Sequence, residues 1–232
     1  MWALALLPVL LAVGGTAGIW AVYGVAVSNK SINLTAGFPY ISTYGSYYPQ
    51  SCWFSQICNV SSFLIIWIVV IRYQQVRDLC YRCRRTNLLA LVLGFISSIG
   101  VSILGNFQQS VYLGIHLFGA FLAFNVGLVY FWVQLWLTYK AEPSQDRRWL
   151  GPLRAVLCSL STVCLIAMVV LHKMGSKSPA ARCEWALIMT FFLLFSSFAA
   201  EFRLIECHQL TVHKHMREEI FRSRLMDMYP EG

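Results

Sequence analysis

The sequence predicts an all-α fold: a polytopic transmembrane helical bundle with six spans and both termini cytoplasmic. Three observations predict it. Of 232 residues, 58% are hydrophobic and only 12% are charged, about half the ~25% charged share of a soluble domain. The charges sit in short patches between long uncharged runs, as membrane loops do. The Lys and Arg residues also fall mostly on alternate loops. The formal charge of +8 does not point to nucleic acid, whose binders gather basic residues on one face or stripe. No nucleic-acid partner is expected.

A helix needs about 20 mostly apolar residues to cross a bilayer core of about 30 Å. Six segments meet that need. The first, over 2–27, carries no charge, and the second, over 53–71, is closed by Arg72. The third, over 88–105, follows Arg84 and Arg85, and the fourth, over 114–139, has His116 as its ionisable group. The fifth, over 152–171, carries Arg154 near its start, where a long side chain is expected to snorkel to the interface. The sixth, over 185–203, has the shortest apolar core and borrows Cys183 and Glu184 at its start. These spans form one domain over 1–205, followed by a tail over 206–232. Ala26 and Ser28 offer a small-residue cleavage pattern after the first run. That run lacks a basic n-region and is longer than a usual h-region, so a retained signal anchor is expected.

Orientation follows the basic residues of short loops. Segment 72–87 holds Arg72, Arg77, Arg82, Arg84 and Arg85, and segment 140–154 holds Lys140, Arg147, Arg148 and Arg154. With Arg203, Lys214, Arg217, Arg222 and Arg224 in the tail, this side has fourteen. The other side has four: Lys30, Lys173, Lys177 and Arg182. The excess assigns both termini to the cytoplasm. Two N-glycosylation acceptors in the first outer loop, at Asn29 and Asn33, agree with that side being luminal. Asn33 is the better acceptor because Asn29 lies close to the membrane. A third match at Asn59 falls inside the second span.

Inside lipid, close approach of small residues favours helix contact. Gly14 and Gly18 on the first span, Gly94, Ser98 and Ser102 on the third, and Gly119, Ala123 and Gly127 on the fourth form such stripes. They read as contacts within one bundle, with a dimer face at Gly14 and Gly18 as the sharper alternative. Asn59, Asn125 and Gln134 are the polar residues expected inside the spans, each bonding a neighbouring helix. No Asp, Glu, Lys or Arg is expected at mid-membrane depth, which argues against active transport.

Cys52 and Cys183 lie at the outer ends of the second and sixth spans. An oxidising compartment permits a Cys52–Cys183 disulfide there, with Cys58 as a competing partner. Cys80 and Cys83 form a CxxC in the first basic loop. Zinc binding with Cys207, His208, His213 and His215 is one reading, but a lone CxxC is a weak metal signal. Palmitoylation of these juxtamembrane cysteines is favoured, and no metal or cofactor is expected. In the tail, Val212, Met216, Ile220, Leu225 and Met228 recur at helical spacing among mixed charges. This is either an interfacial helix touching anionic lipid or a solvated polar tail. No phosphate loop, HExxH, GxSxG or paired-carboxylate pattern is present. Glu184 and His116 are the outer-side groups with conceivable chemistry, and no catalytic residue is assigned.

Several motifs resemble those of one known family. Phe38-Pro39-Tyr40-Ile41-Ser42, then Gly45 and Pro49-Gln50-Ser51-Cys52, resembles the first luminal loop of the damage-regulated autophagy modulator family. Arg72-Tyr73 with Gln75-Val76, Gly105-Asn106-Phe107-Gln108, Cys183-Glu184-Trp185 and Glu201-Phe202 extend the likeness in order along the chain. The short first loop is similar to the B type of the transmembrane protein 150 branch. Tyr48 departs from the pattern, since relatives often carry a second proline there. The resemblance implies six spans and a non-enzymatic regulator of macroautophagy or of endolysosomal and plasma-membrane traffic, with no catalytic residue to transfer. It implies residence at plasma membrane, endosomes, lysosomes or autophagosomes. Phosphoinositide-kinase recruitment and mechanically activated currents are linked to relatives. A channel role, with Ser97, Ser98, Ser102 and Asn106 lining a polar path, is the alternative. Expected partners are membrane lipids, anionic at the cytoplasmic face, and unidentified proteins.

Overall fold

No charge interrupts the chain between Ala3 and Ser28, so the first helix runs 26 residues. At 1.5 Å per residue that is long enough to cross a bilayer core. In the computed structural model, which describes residues 3–32, 35, 37–141, 147–203 and 205, this helix is α1. A one-turn helix, α2 (Ile41–Tyr44), lies in the loop that follows. After a cis Tyr48–Pro49 peptide come α3 (Gln50–Leu79), a 3-10 turn over Tyr81–Cys83 and α4 (Arg84–Asn106). Next, α5 (Leu113–Phe121) passes through a π turn over Leu122–Val126 into α6 (Gly127–Lys140). Then α7 (Arg147–Lys173) turns at Gly175, φ 79°, into α8 (Lys177–Ser196), and α9 (Phe198–Phe202) follows.

Among the described residues, six helical stretches are long and apolar enough to cross a membrane: 3–28, 50–79, 81–106, 113–140, 148–173 and 177–202. The chain is a multi-pass membrane protein. Its helices outrun the purely apolar segments because the interfacial turns still pack. Val76, beyond Arg72, is completely buried, and so is Ala180, well before Trp185.

The spans close into a ring. α1 packs on α3 and on α8, α3 on α4, α4 on the α5–α6 span, α6 on α7, and α7 on α8. Small residues bring these helices together, as expected inside lipid. A Cβ on Gly94 would meet Val69, and one on Gly18 would meet Ile57. On α1 the second close contact belongs to Gly15, against Phe192, whereas Gly14 touches nothing within 4 Å. The contact glycines are therefore 15 and 18, because that face lies between α3 and α8. The closest approach to another helix's backbone is at Gly100, where an added Cβ would meet the backbone nitrogen of Ala123 in the π turn.

One cysteine expectation is not met. Cys52 and Cys183 carry free thiols, as does Cys58, and the spans bearing Cys52 and Cys183 stand on either side of α1. Among the described residues the disulfide present joins Cys80 to Cys83, with Cα atoms 5.4 Å apart. Asn33, the tail over 206–232 and its Cys207, His208, His213 and His215 lie outside the described residues. Among the described residues no cluster of three His, Cys, Asp or Glu forms a metal site.

Candidate functional site: two polar centres at opposite ends of the bundle

The loop end is organised by Glu184 and Trp185, seven and eight residues inside α8. Glu184 is buried, and its Oε2 accepts the backbone N–H of Ile41 at 2.7 Å, the first residue of α2. A carboxylate there satisfies a free helix N-terminal donor. Trp185 Nε1 donates to the Pro39 carbonyl at 3.3 Å, and its ring packs on Trp20, Tyr23, Phe38 and Tyr44. Ser178 Oγ accepts the Phe38 N–H at 3.0 Å, and the Tyr40 hydroxyl meets His172 Nδ1 at 2.8 Å. Burial raises the Tyr40 and Tyr44 hydroxyls above the ordinary tyrosine range, with the Glu184 charge adding to it. Pro39, Tyr40, Glu184 and Trp185 are thus the two halves of one latch, which holds the first loop on the last span. Asn29 Nδ2 donates to Gln50 Oε1 at 2.9 Å, tying the end of α1 to the start of α3.

The motif Gly105-Asn106-Phe107-Gln108 builds the next corner. Gly105 lies against Cys58, leaving no room for a Cβ. The Asn106 and Asn59 amides bond each other reciprocally at 3.0 Å. Ser55 donates to Asn106 Oδ1 and Ser102 to Asn59 Oδ1, both at 2.8 Å. Gln108 O accepts the N–H of Val111 and of Tyr112, which closes the turn into α5. His116 Nδ1 donates to the Phe107 carbonyl at 2.8 Å. One helical turn and more into the bundle, Ser62 and Ser98 each donate to the other's carbonyl, at 2.8 and 2.9 Å. Ser98, Ser102 and Asn106 therefore join α3 to α4. Ser97 faces the other way and donates to Ala123 O at 3.1 Å.

Beneath the latch lies a cavity of about 110 Å³, bounded by α1, α3, α4, the α5–α6 span and α8. Its lining is mostly apolar, with Ser42, Ser61, Ser97, His116 and Glu184 as polar members. Glu184 and His116, which the sequence left at unknown separation, face this one space.

The basic end holds a charged centre that sequence reading missed. Arg154 does not snorkel: its side chain is 2% exposed and its fork grips Glu201, Nη2 to Oε2 at 2.6 Å and Nη1 to Oε1 at 3.2 Å. Arg72, equally buried, reaches Glu201 Oε1 at 3.1 Å. Arg154 also donates to Thr138 Oγ1 and Ser197 Oγ, and Arg72 to Gln134 Oε1 and Gln75 Oε1. Phe198 lies against both guanidiniums, 4.5 Å from Arg154 and 5.7 Å from Arg72. The correction has a simple cause. α7 starts at Arg147, so Arg154 is already two turns inside the helix and turned toward α6 and α9. A buried charge persists only when paired and hydrogen-bonded, and here four helices supply the partners. Arg77, Arg82, Arg84, Arg85, Lys140 and Arg148 remain exposed at this end.

Comparison with known proteins places this architecture. The chain is 61% identical over 214 residues, 92% of each protein, to a zebrafish (Danio rerio) protein named modulator of macroautophagy TMEM150B. It is 46% identical over 214 residues, 91% of each, to the human (Homo sapiens) protein of that name. Identity to transmembrane protein 150A of Xenopus laevis is 32%, over 84% of this chain and 82% of that one. No solved structure matches. Residues 3–205, from α1 to just beyond α9, match the family described as Frag1/DRAM/Sfk1/Cwh43P N-terminal domain, and the chain belongs to that family.

Proposed function

We propose that this chain is a non-enzymatic regulator of macroautophagy, acting through lipid or protein partners. The observation that carries the proposal is the name shared by relatives that match more than nine-tenths of the chain. The structure lends support of a different kind. The polar side chains that suggested chemistry or conduction are engaged in holding the fold: Glu184 caps α2, Asn106 pairs with Asn59, and Ser98 donates to the Ser62 carbonyl. Plasma-membrane and endolysosomal residence belongs to the same proposal, as does a cytoplasmic position for both termini. With that orientation the exposed arginines of the basic end face anionic headgroups, each worth about 1 kcal/mol near the surface. The same face would meet protein partners.

The test is autophagic flux in cells deleted for the gene, read as turnover of a lipid-conjugated autophagosome marker with and without lysosomal block. A change restored by re-expression is expected. Unchanged flux would overturn the reading. A separate assay of purified protein against phospholipids that gave turnover lost in Glu184→Gln would overturn its non-enzymatic part.

A further inference from the structure

The cavity under the latch has a shape and a polarity that together describe a ligand. Its lining runs along α3 from Phe54 to Ile65 and along α8 from Glu184 to Phe195. Each path rises eleven residue steps, about 16 Å at 1.5 Å per residue. A volume of about 110 Å³ spread over that length is narrow. Its elongated form suits one extended chain better than a fused ring system. The two ends differ. Ser42, His116 and Glu184 stand at the loop end, whereas Ile65, Phe191 and Phe195 stand deepest.

Glu184 decides the head group. It is 8% exposed, one oxygen is held by the Ile41 N–H, and it belongs to none of the ion pairs among the described residues. A buried carboxylate is costly without a cation or further donors. Holding α2 uses only part of its accepting capacity, since a carboxylate has about four lone-pair sites. The π turn contributes as well: Ala123 and Phe124, both in it, line the space, and π turns recur where helices are opened at functional sites.

We propose that this cavity binds a single-chain amphiphile with a cationic head, a long-chain amine or amino alcohol. Its ammonium group meets Glu184 beside Ser42, and its alkyl chain lies along Phe124 and Phe191 toward Ile65. The site is independent of the regulator reading, since neither its lining nor its chemistry uses the relatives' name.

The test uses the full chain in nanodiscs and dodecylamine carrying a diazirine at its far end. Dodecanol and dodecane with the same diazirine serve as controls. Photolabelling by the amine is expected at the deep end, on peptides containing Ile65 or Phe191. Glu184→Gln should lower that labelling about tenfold, the scale of one hydrogen bond to a charged group, and leave dodecane labelling unchanged. Because Glu184 also holds α2, a second variant keeps the carboxylate: Ser61→Leu fills the cavity midway and should block the deep label for every chain. Equal labelling by amine and dodecane would overturn the cationic head. Labels confined to the lipid-facing side of α7 and insensitive to Ser61→Leu would overturn the site itself. Displacement by a sterol, with no effect of Ser61→Leu, would overturn the single-chain shape.

Discussion

Changing Glu201 to glutamine keeps the side-chain size and removes the carboxylate that two buried guanidiniums share. In the native protein Arg154 contributes two short bonds, at 2.6 and 3.2 Å, and Arg72 one, at 3.1 Å. Both arginines are 2% exposed, so neither can reach water without moving its helix. Removing one partner from a buried pair costs about 3–5 kcal/mol, and here one substitution strands two cations. Arg72→Met should cost less. It leaves Arg154 and Glu201 as a matched pair and forfeits the hydrogen bonds to Gln134 and Gln75, about 1–3 kcal/mol. The expected order of stability is wild type, then Arg72→Met, then Glu201→Gln. For a chain this size 1 kcal/mol shifts Tm by roughly 2–4 °C, so Glu201→Gln should melt roughly 10 °C low. Intrinsic tryptophan fluorescence during heating, on detergent-purified protein, reads this directly. Glu201→Gln melting within about 2 °C of wild type, or above Arg72→Met, would refute the claim that this ion cluster holds the basic end together.

Three other outcomes follow from the same geometry. Gly100→Ala drives a Cβ into the π-turn backbone and should cost about 1–3 kcal/mol. Gly14→Ala meets open space and should be neutral or stabilising by about 0.5–1 kcal/mol; the same melting assay separates the two. Asn106→Leu removes the reciprocal partner of the Asn59 amide, which keeps Ser102, and should destabilise, whereas the Asn59→Leu, Asn106→Leu pair should recover part of the loss. Each interhelical hydrogen bond is worth about 0.6 kcal/mol in a membrane, so a double-mutant cycle near zero would contradict the reciprocal pair. Expression in glycosylating cells should give a glycosidase-sensitive band lost in Asn33→Gln and retained in Asn29→Gln, whose amide is already held by Gln50. No glycosidase-sensitive band in any background would remove the support the two acceptors give to the proposed orientation.

Six spans and the uneven charge of the loops were legible in the sequence because both are one-dimensional properties. Hydropathy accumulates along a segment, so the uncharged run from Ala3 to Ser28 announced a helix whatever it packs against. The family motifs were legible too, although what they do was not. Pro39-Tyr40 and Glu184-Trp185 are separated by more than 140 residues, and only folding shows that one pair docks on the other. Distance along the chain also concealed the basic-end centre. Arg72, Arg154 and Glu201 each stand near a span end, where a charge ordinarily snorkels, and nothing local distinguishes a snorkelling arginine from a paired one. Which glycine of α1 makes contact, 14 or 15, depends on the rotation of a helix about its axis, set by Ile57 and Phe192 on neighbours far away in sequence. The sequence by itself determined the solvent this protein lives in and the number of times it crosses it. Tertiary structure decided which polar groups face one another, because a bilayer tolerates a polar side chain only when a neighbouring helix supplies its partner.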